Sequence, residues 1–148
     1  MRVANTLLAL AFCIAAGAVS AEPARTALPP TIAIIIDDMG HNRIEGERLI
    51  ALEQPLTLAF LPYRRHTSFL AEKAHKQQKE IMLHAPMANT RRLALGPGGL
   101  DEGMNQSDIT LTLRRALKSI PHVQGVNNHM GSLLTQKLQT MDWVMGEI

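Results

Sequence analysis

Four side chains in this sequence have the types and spacing to act on one substrate together. They are the adjacent carboxylates Asp37 and Asp38, in "IAIIIDDMGHN" over residues 32–42, and the imidazoles of His84, in "IMLHAPM", and His129, in "GVNNHMGS". Each follows or closes a short apolar run, and Asp38, His84 and His129 stand 46 and 45 residues apart. Two carboxylates side by side repel, so water, a shared proton or a cation must compensate them. One carboxylate with two neutral imidazoles suits a divalent first-row metal, zinc foremost, with positions left for water and substrate. A cation would offset the repulsion and acidify its water, giving the second carboxylate a proton to accept. His41 is close enough to Asp38 to serve as an alternate ligand or as a hydrogen-bonding partner to one. Of the remaining histidines, His75 is expected on an exposed helix face among Lys73, Lys76 and Gln77, and His66 and His122 beside helix ends.

The elements that must bring these residues together follow from the hydropathy pattern. Four short apolar runs, at 32–36, 56–61, 81–85 and 123–128, are continuous rather than alternating, as strands buried on both faces are in parallel sheets. Segments with helical spacing lie between them. Residues 43–53 carry Ile44, Leu49 and Leu52; residues 67–79 open on a Thr/Ser cap and place Glu72 four residues before Lys76. Residues 108–120 line up Ile109, Leu113, Leu117 and Ile120 behind a Ser107 cap, and Leu138, Met141, Met145 and Ile148 repeat at helical spacing after Thr135. Strand and helix alternate four times, which predicts an α/β domain with parallel strands. In such a sheet the C-terminal ends of the strands converge on one face, where ligands bind. Asp37-Asp38, Tyr63, His84 and His129 then meet there.

Four units make neither a closed eight-stranded barrel nor a complete doubly wound sheet, and the last helical pattern runs to Ile148 without a cap. The segment 31–148 therefore reads as the N-terminal part of a larger domain. Residues 22–30, "EPARTALPP", are a lead-in in which Pro29-Pro30 blocks a helix. Residues 1–21 have the form of a secretory signal peptide, with Arg2, an apolar run over 6–19 and small residues up to Ala21. That run is shorter than the roughly 20 residues that span a bilayer, so no stable membrane span is expected after cleavage. The mature protein is expected to be exported, to the periplasm or the cell exterior. Cys13, the single cysteine, leaves with the signal, which excludes disulfides and thiolate metal sites from the mature chain. The formal net charge falls from +2 to +1 when Arg2 is removed, which is no electrostatic footprint for nucleic acid.

Two other uses of an acidic pair after a strand fail on content. The chain has no Gly-x-x-x-x-Gly-Lys-Ser/Thr phosphate loop, and Gly96-Pro97-Gly98-Gly99 reads as a structural turn. A phosphoacceptor receiver would need an aspartate where His84 stands.

The combination of "IAIIIDDMG" at 32–40, "LTLAFLPY" at 56–63, "EIMLHAPM" at 80–87, "LGPGGL" at 95–100 and "VQGVNNHMGSLLT" at 123–135 resembles the divergent polysaccharide deacetylases. These are distant relatives of the NodB-like carbohydrate deacetylases. The resemblance implies an incomplete or deformed (β/α) barrel and a metal-dependent hydrolase of acetyl groups on a polysaccharide or cell-envelope glycan. It makes Asp37 the expected general base and Asp38 a metal ligand, and it aligns His129 with the first histidine of a His-Ser/Thr-x-x-His motif. The second histidine of that motif would fall on Leu133, which cannot bind metal, so His84 is expected to replace it on strand-end geometry. Tyr63 is a candidate for the sugar platform. Arg64, Arg65, Arg91 and Arg92 are expected in loops on the same face, as solvated charges in the first place and as contacts to an acidic glycan in the second. Leu133 also keeps open a second reading, a non-catalytic envelope protein that retained the fold and binds glycan or protein.

Overall fold

The computed structural model of the chain describes residues 30–148, within which Ile32–Ile148 form one compact unit. The predicted signal peptide, and the lead-in as far as residue 29, lie outside the described residues. Strand and helix alternate through the unit: β1 (Ile35–Met39), α1 (Arg43–Ile50), β2 (Thr57–Phe60), α2 (Thr67–Lys76), β3 (Glu80–Met87), α3 (Gln106–Lys118), β4 (Gly125–Met130), a 3-10 turn at Leu134–Gln136, and α4 (Leu138–Met145). The strands are all parallel and stand in the order β1-β2-β3-β4. The order never reverses, as it would in a doubly wound sheet. Among the described residues the sheet is not closed, and β1 and β4 are its edges. The architecture is that of an incomplete βα barrel.

Register decides what each face of the sheet holds. Leu58 pairs with Ile81, Phe60 with Leu83, and Leu83 with Val126. Leu58, Phe60, Ile81 and Leu83 are buried in one cluster with Ile50 of α1, Leu70 and Ala74 of α2, Ile109 and Leu113 of α3, and Val144 of α4. Each such large side chain contributes about 1.5–3 kcal/mol on leaving water. Successive residues of a strand point to opposite faces, so the alternate set Ala59, Met82, His84 and Asn127 lies on the other side of the sheet. That set is in register too, Ala59 with Met82 and His84 with Asn127. One face is therefore apolar and covered by helices, and the other carries the chemistry.

Several local expectations are corrected. β1 begins at Ile35 rather than at residue 32, and Ile32, Ile34 and Ile35 are exposed, because an edge strand has no outer neighbour to bury them. Burial on both faces holds for β2 and for most of β3. The cap of α3 is Asn105, whose side chain accepts the Asp108 N–H at 3.0 Å, and not Ser107. Thr67 is the first residue of α2 rather than its cap; its hydroxyl donates to the Leu61 carbonyl at 2.6 Å and ties the helix to the end of β2. Glu72 meets His122 at 3.2 Å in place of Lys76. Helix α4 ends at Met145, where the Gly146 N–H bonds the Asp142 carbonyl, three residues short of the predicted run. Gly96 and Gly98 both have positive φ, 77° and 78°, in keeping with a structural turn.

Candidate metal centre

The acidic pair sits where β1 departs from regular geometry. Ile36 pairs with Leu58 and Met39 with Phe60, so three steps along β1 match two along β2. One extra residue is accommodated at Asp37-Asp38, and Asp38 takes a left-handed backbone with φ 59°. A regular strand would send the two carboxylates to opposite faces. The bulge cancels that alternation, and both reach the same imidazole: Asp38 Oδ1 lies 3.4 Å from Nε2 of His84, and Asp37 Oδ1 lies 3.6 Å from its Nδ1. Gly40, with φ 113°, turns the chain toward α1; a Cβ there would stand 2.3 Å from the Thr67 hydroxyl.

His84 is 3% exposed, on the central strand β3. His129 comes from β4 in register with Pro86, two residues further along the same face. Its Nδ1 stands 3.1 Å from His84 Nε2 and 3.0 Å from Asp38 Oδ1, with the two rings edge to face. Asp38, His84 and His129 thus offer one ligand atom each, all within 4.8 Å of one another. Tetrahedral coordination at the usual zinc–nitrogen and zinc–oxygen bond lengths separates neighbouring donors by about 3.3 Å. The observed separations of 3.0, 3.1 and 3.4 Å bracket that edge. The donor set fits a divalent cation in composition and in spacing.

Protonation favours the same use. Burial pushes the pKa of His129 below its ordinary value of 6.5, opposed by the Asp38 carboxylate and reinforced by His84 and by the Arg64 guanidinium. The neutral imidazole, the form that ligates, prevails at pH 7. Arg64 is not the solvated loop charge expected of it: it is half-buried, its guanidinium passes beside Gly96, and its Nε is buried without a partner among the described residues.

Asn127 was missed by sequence reasoning. Its Oδ1 lies 2.8 Å from His84 Nδ1, and its Nδ2 donates to Asp37 Oδ1 at 2.8 Å. Period-two alternation could have found it, since Asn127 is two residues before His129 and so on the same face of β4. Other expected residues stand apart. Tyr63 is half-exposed at the end of β2, with φ 58° and its ring against Gly98. His41 is exposed and outside the cluster. Leu133 lines a neighbouring cleft of about 440 Å³ with Ala88, Asn89, Arg92 and Glu102, beyond the ends of β3 and β4. His75 and His122 stack on each other at 3.6 Å, His122 lying in the connection before β4.

Comparisons with known proteins bear on the fold and the family. The profile of the divergent polysaccharide deacetylases matches residues 34–148. The chain is 34% identical over 114 residues to the uncharacterized protein YibQ of Escherichia coli, covering 77% of this chain and 36% of that one. It is 29% identical over 114 residues to an uncharacterized protein of Haemophilus influenzae, covering 77% of this chain and 41% of that one. The fold is similar to the crystal structure of the uncharacterized protein ATU2773 from Agrobacterium tumefaciens, with a TM-score of 0.73 and 23% identity over 78% of this chain and 48% of that one. The chain thus spans about two fifths of the length of the curated relatives it matches. With the profile match running from β1 to the last residue, the chain belongs to the divergent polysaccharide deacetylase family.

Proposed function

We propose that this protein is an exported, metal-dependent hydrolase that removes acetyl groups from a polysaccharide of the cell envelope. The observation that carries the reading is the convergence of Asp38, His84 and His129 on one point, with Asp37 brought alongside by the bulge. Asp38, His84 and His129 would hold a divalent cation, zinc by preference, which supplies Lewis-acid polarisation of the acetyl carbonyl and acidification of water. Asp37 accepts the proton of the attacking water. Asn127 keeps Asp37 in place through its amide N–H, and the half-buried Arg64 brings positive charge close enough to act on His129. Tyr63 and the cleft beside Leu133 lie at the strand ends, where a glycan chain has room to lie. Export follows from residues 1–21 and would bring the enzyme to envelope glycans. Among the described residues no helix is long and apolar enough to cross a membrane.

The test is release of acetate from acetylated glycan by the zinc-loaded protein. Turnover is expected in the wild type and is lost in Asp37→Asn with the metal retained. A non-catalytic envelope protein that binds glycan or protein is the second reading, favoured by Leu133 at the second histidine of the family's better-known motif. A zinc-loaded protein that binds glycan but releases no acetate would select it.

A further inference from the structure

We infer that Asn127 is a positioning residue that locks His84 into the one tautomer able to bind a cation, using Asp37 as the fixed end of the relay. The inference rests on the metal-site reading of the cluster and assigns a role that the ligand set alone does not contain. A carboxylate can only accept hydrogen bonds, so the group that Asn127 turns to Asp37 must be its NH₂, at 2.8 Å. The opposite orientation of the amide would set its carbonyl oxygen against the carboxylate. With the NH₂ committed, the carbonyl oxygen faces Nδ1 of His84 at 2.8 Å and requires a proton there. Nε2 is then left with its lone pair, directed to the point shared with Asp38 and His129.

Asp37 cannot do this itself, because its oxygen is 3.6 Å from His84 Nδ1, beyond a hydrogen bond. An amide is the right chemistry for the middle position, since it accepts at one end and donates at the other. An aspartate there would still accept from His84 but would face Asp37 with a second negative charge. The same bond occupies one oxygen of Asp37 and leaves the other free to take a proton.

The test combines nitrogen-15 NMR of the imidazoles in the metal-free protein with zinc titration by calorimetry. In the wild type His84 is expected to carry its proton on Nδ1 alone. In Asn127→Leu, which has the same branching and number of heavy atoms with neither donor nor acceptor, His84 should no longer hold a single tautomer. Zinc affinity should then fall about 10- to 100-fold. Asn127→Asp keeps the acceptor and should bind zinc within a few-fold of wild type. A wild-type His84 protonated on Nε2, an Asn127→Leu protein that binds zinc as tightly as wild type, or an Asn127→Asp protein as weak as Asn127→Leu would each overturn the inference. Should the wild type bind no zinc, the metal reading falls, while the His84 tautomer still decides the lock. None of these readouts depends on turnover.

Discussion

Asp37 and Asp38 are neighbours of the same chemical type that face opposite nitrogens of one imidazole, and the roles proposed for them differ accordingly. Asp38 stands on the Nε2 side of His84, with His129, where a cation would sit. Asp37 stands on the Nδ1 side, held by Asn127. Asp38→Ala should therefore lose stoichiometric metal. Asp37→Asn, whose amide oxygen can still accept from Asn127, should retain it while acetate release falls by about 10²- to 10⁴-fold, the range for a lost general base. Elemental analysis and an acetate assay on the same preparations separate the two. His129 predicts a pH dependence. Its folded pKa lies below the ordinary 6.5, so the unfolded chain binds the proton more readily. The stability of the metal-free protein should be complete above about pH 6.5 and decline as the pH falls toward the folded value. His129→Gln should flatten that part of the unfolding profile. The three residues that the structure gathers, Asp38, His84 and His129, were legible from residue type and strand-end position. Asn127 shares the period-two face of His129, but its bonds to His84 and Asp37 depend on how the strands pair, and a loop arginine turned inward leaves no periodic trace.

At the scale of elements, the bulge in β1 explains why two consecutive residues can serve one site. Sequence alone places both carboxylates at a strand end but cannot tell that the register slips there, since that depends on pairing with β2. The same limit applies to β1's bounds: an isoleucine run marks a strand, and only the partner strand decides where pairing starts. Asp38 holds a left-handed backbone, which costs a non-glycine residue roughly 1–2 kcal/mol, less for aspartate than for most. With both proteins metal-free, Asp38→Gly should then unfold at a temperature equal to or above wild type, a gain of up to about 1 kcal/mol once glycine's greater freedom in the unfolded chain is counted. A large loss of stability in that variant would contradict the strain assigned to Asp38. Gly40 has the opposite character. Gly40→Ala drives a Cβ into the Thr67 hydroxyl that ties α2 to β2, at a positive φ, and should destabilise by about 2 kcal/mol or more in denaturant titration.

At the scale of the whole molecule, the alternation of four apolar runs with four helical patterns was enough to read a parallel α/β sheet. The monotonic strand order and the open edges required the structure, because nothing in a single strand's composition states which neighbour it takes. The helix-covered face supplies stability, and the other face gathers Asp37, Asp38, His84, Asn127 and His129 from three of the four strands. A cation bound there would link β1, β3 and β4, so it should stabilise the fold as any ligand of the native state does. Zinc at a hundredfold excess over its dissociation constant should add about 2.7 kcal/mol, removed again by a chelator. The most direct test of the account is the metal content of the purified protein beside Asp38→Ala, His84→Ala and His129→Ala. The account predicts about one divalent ion per wild-type chain and little or none in each variant, consistent with a three-residue site. A wild-type protein without stoichiometric metal, or variants that keep it, would contradict the account.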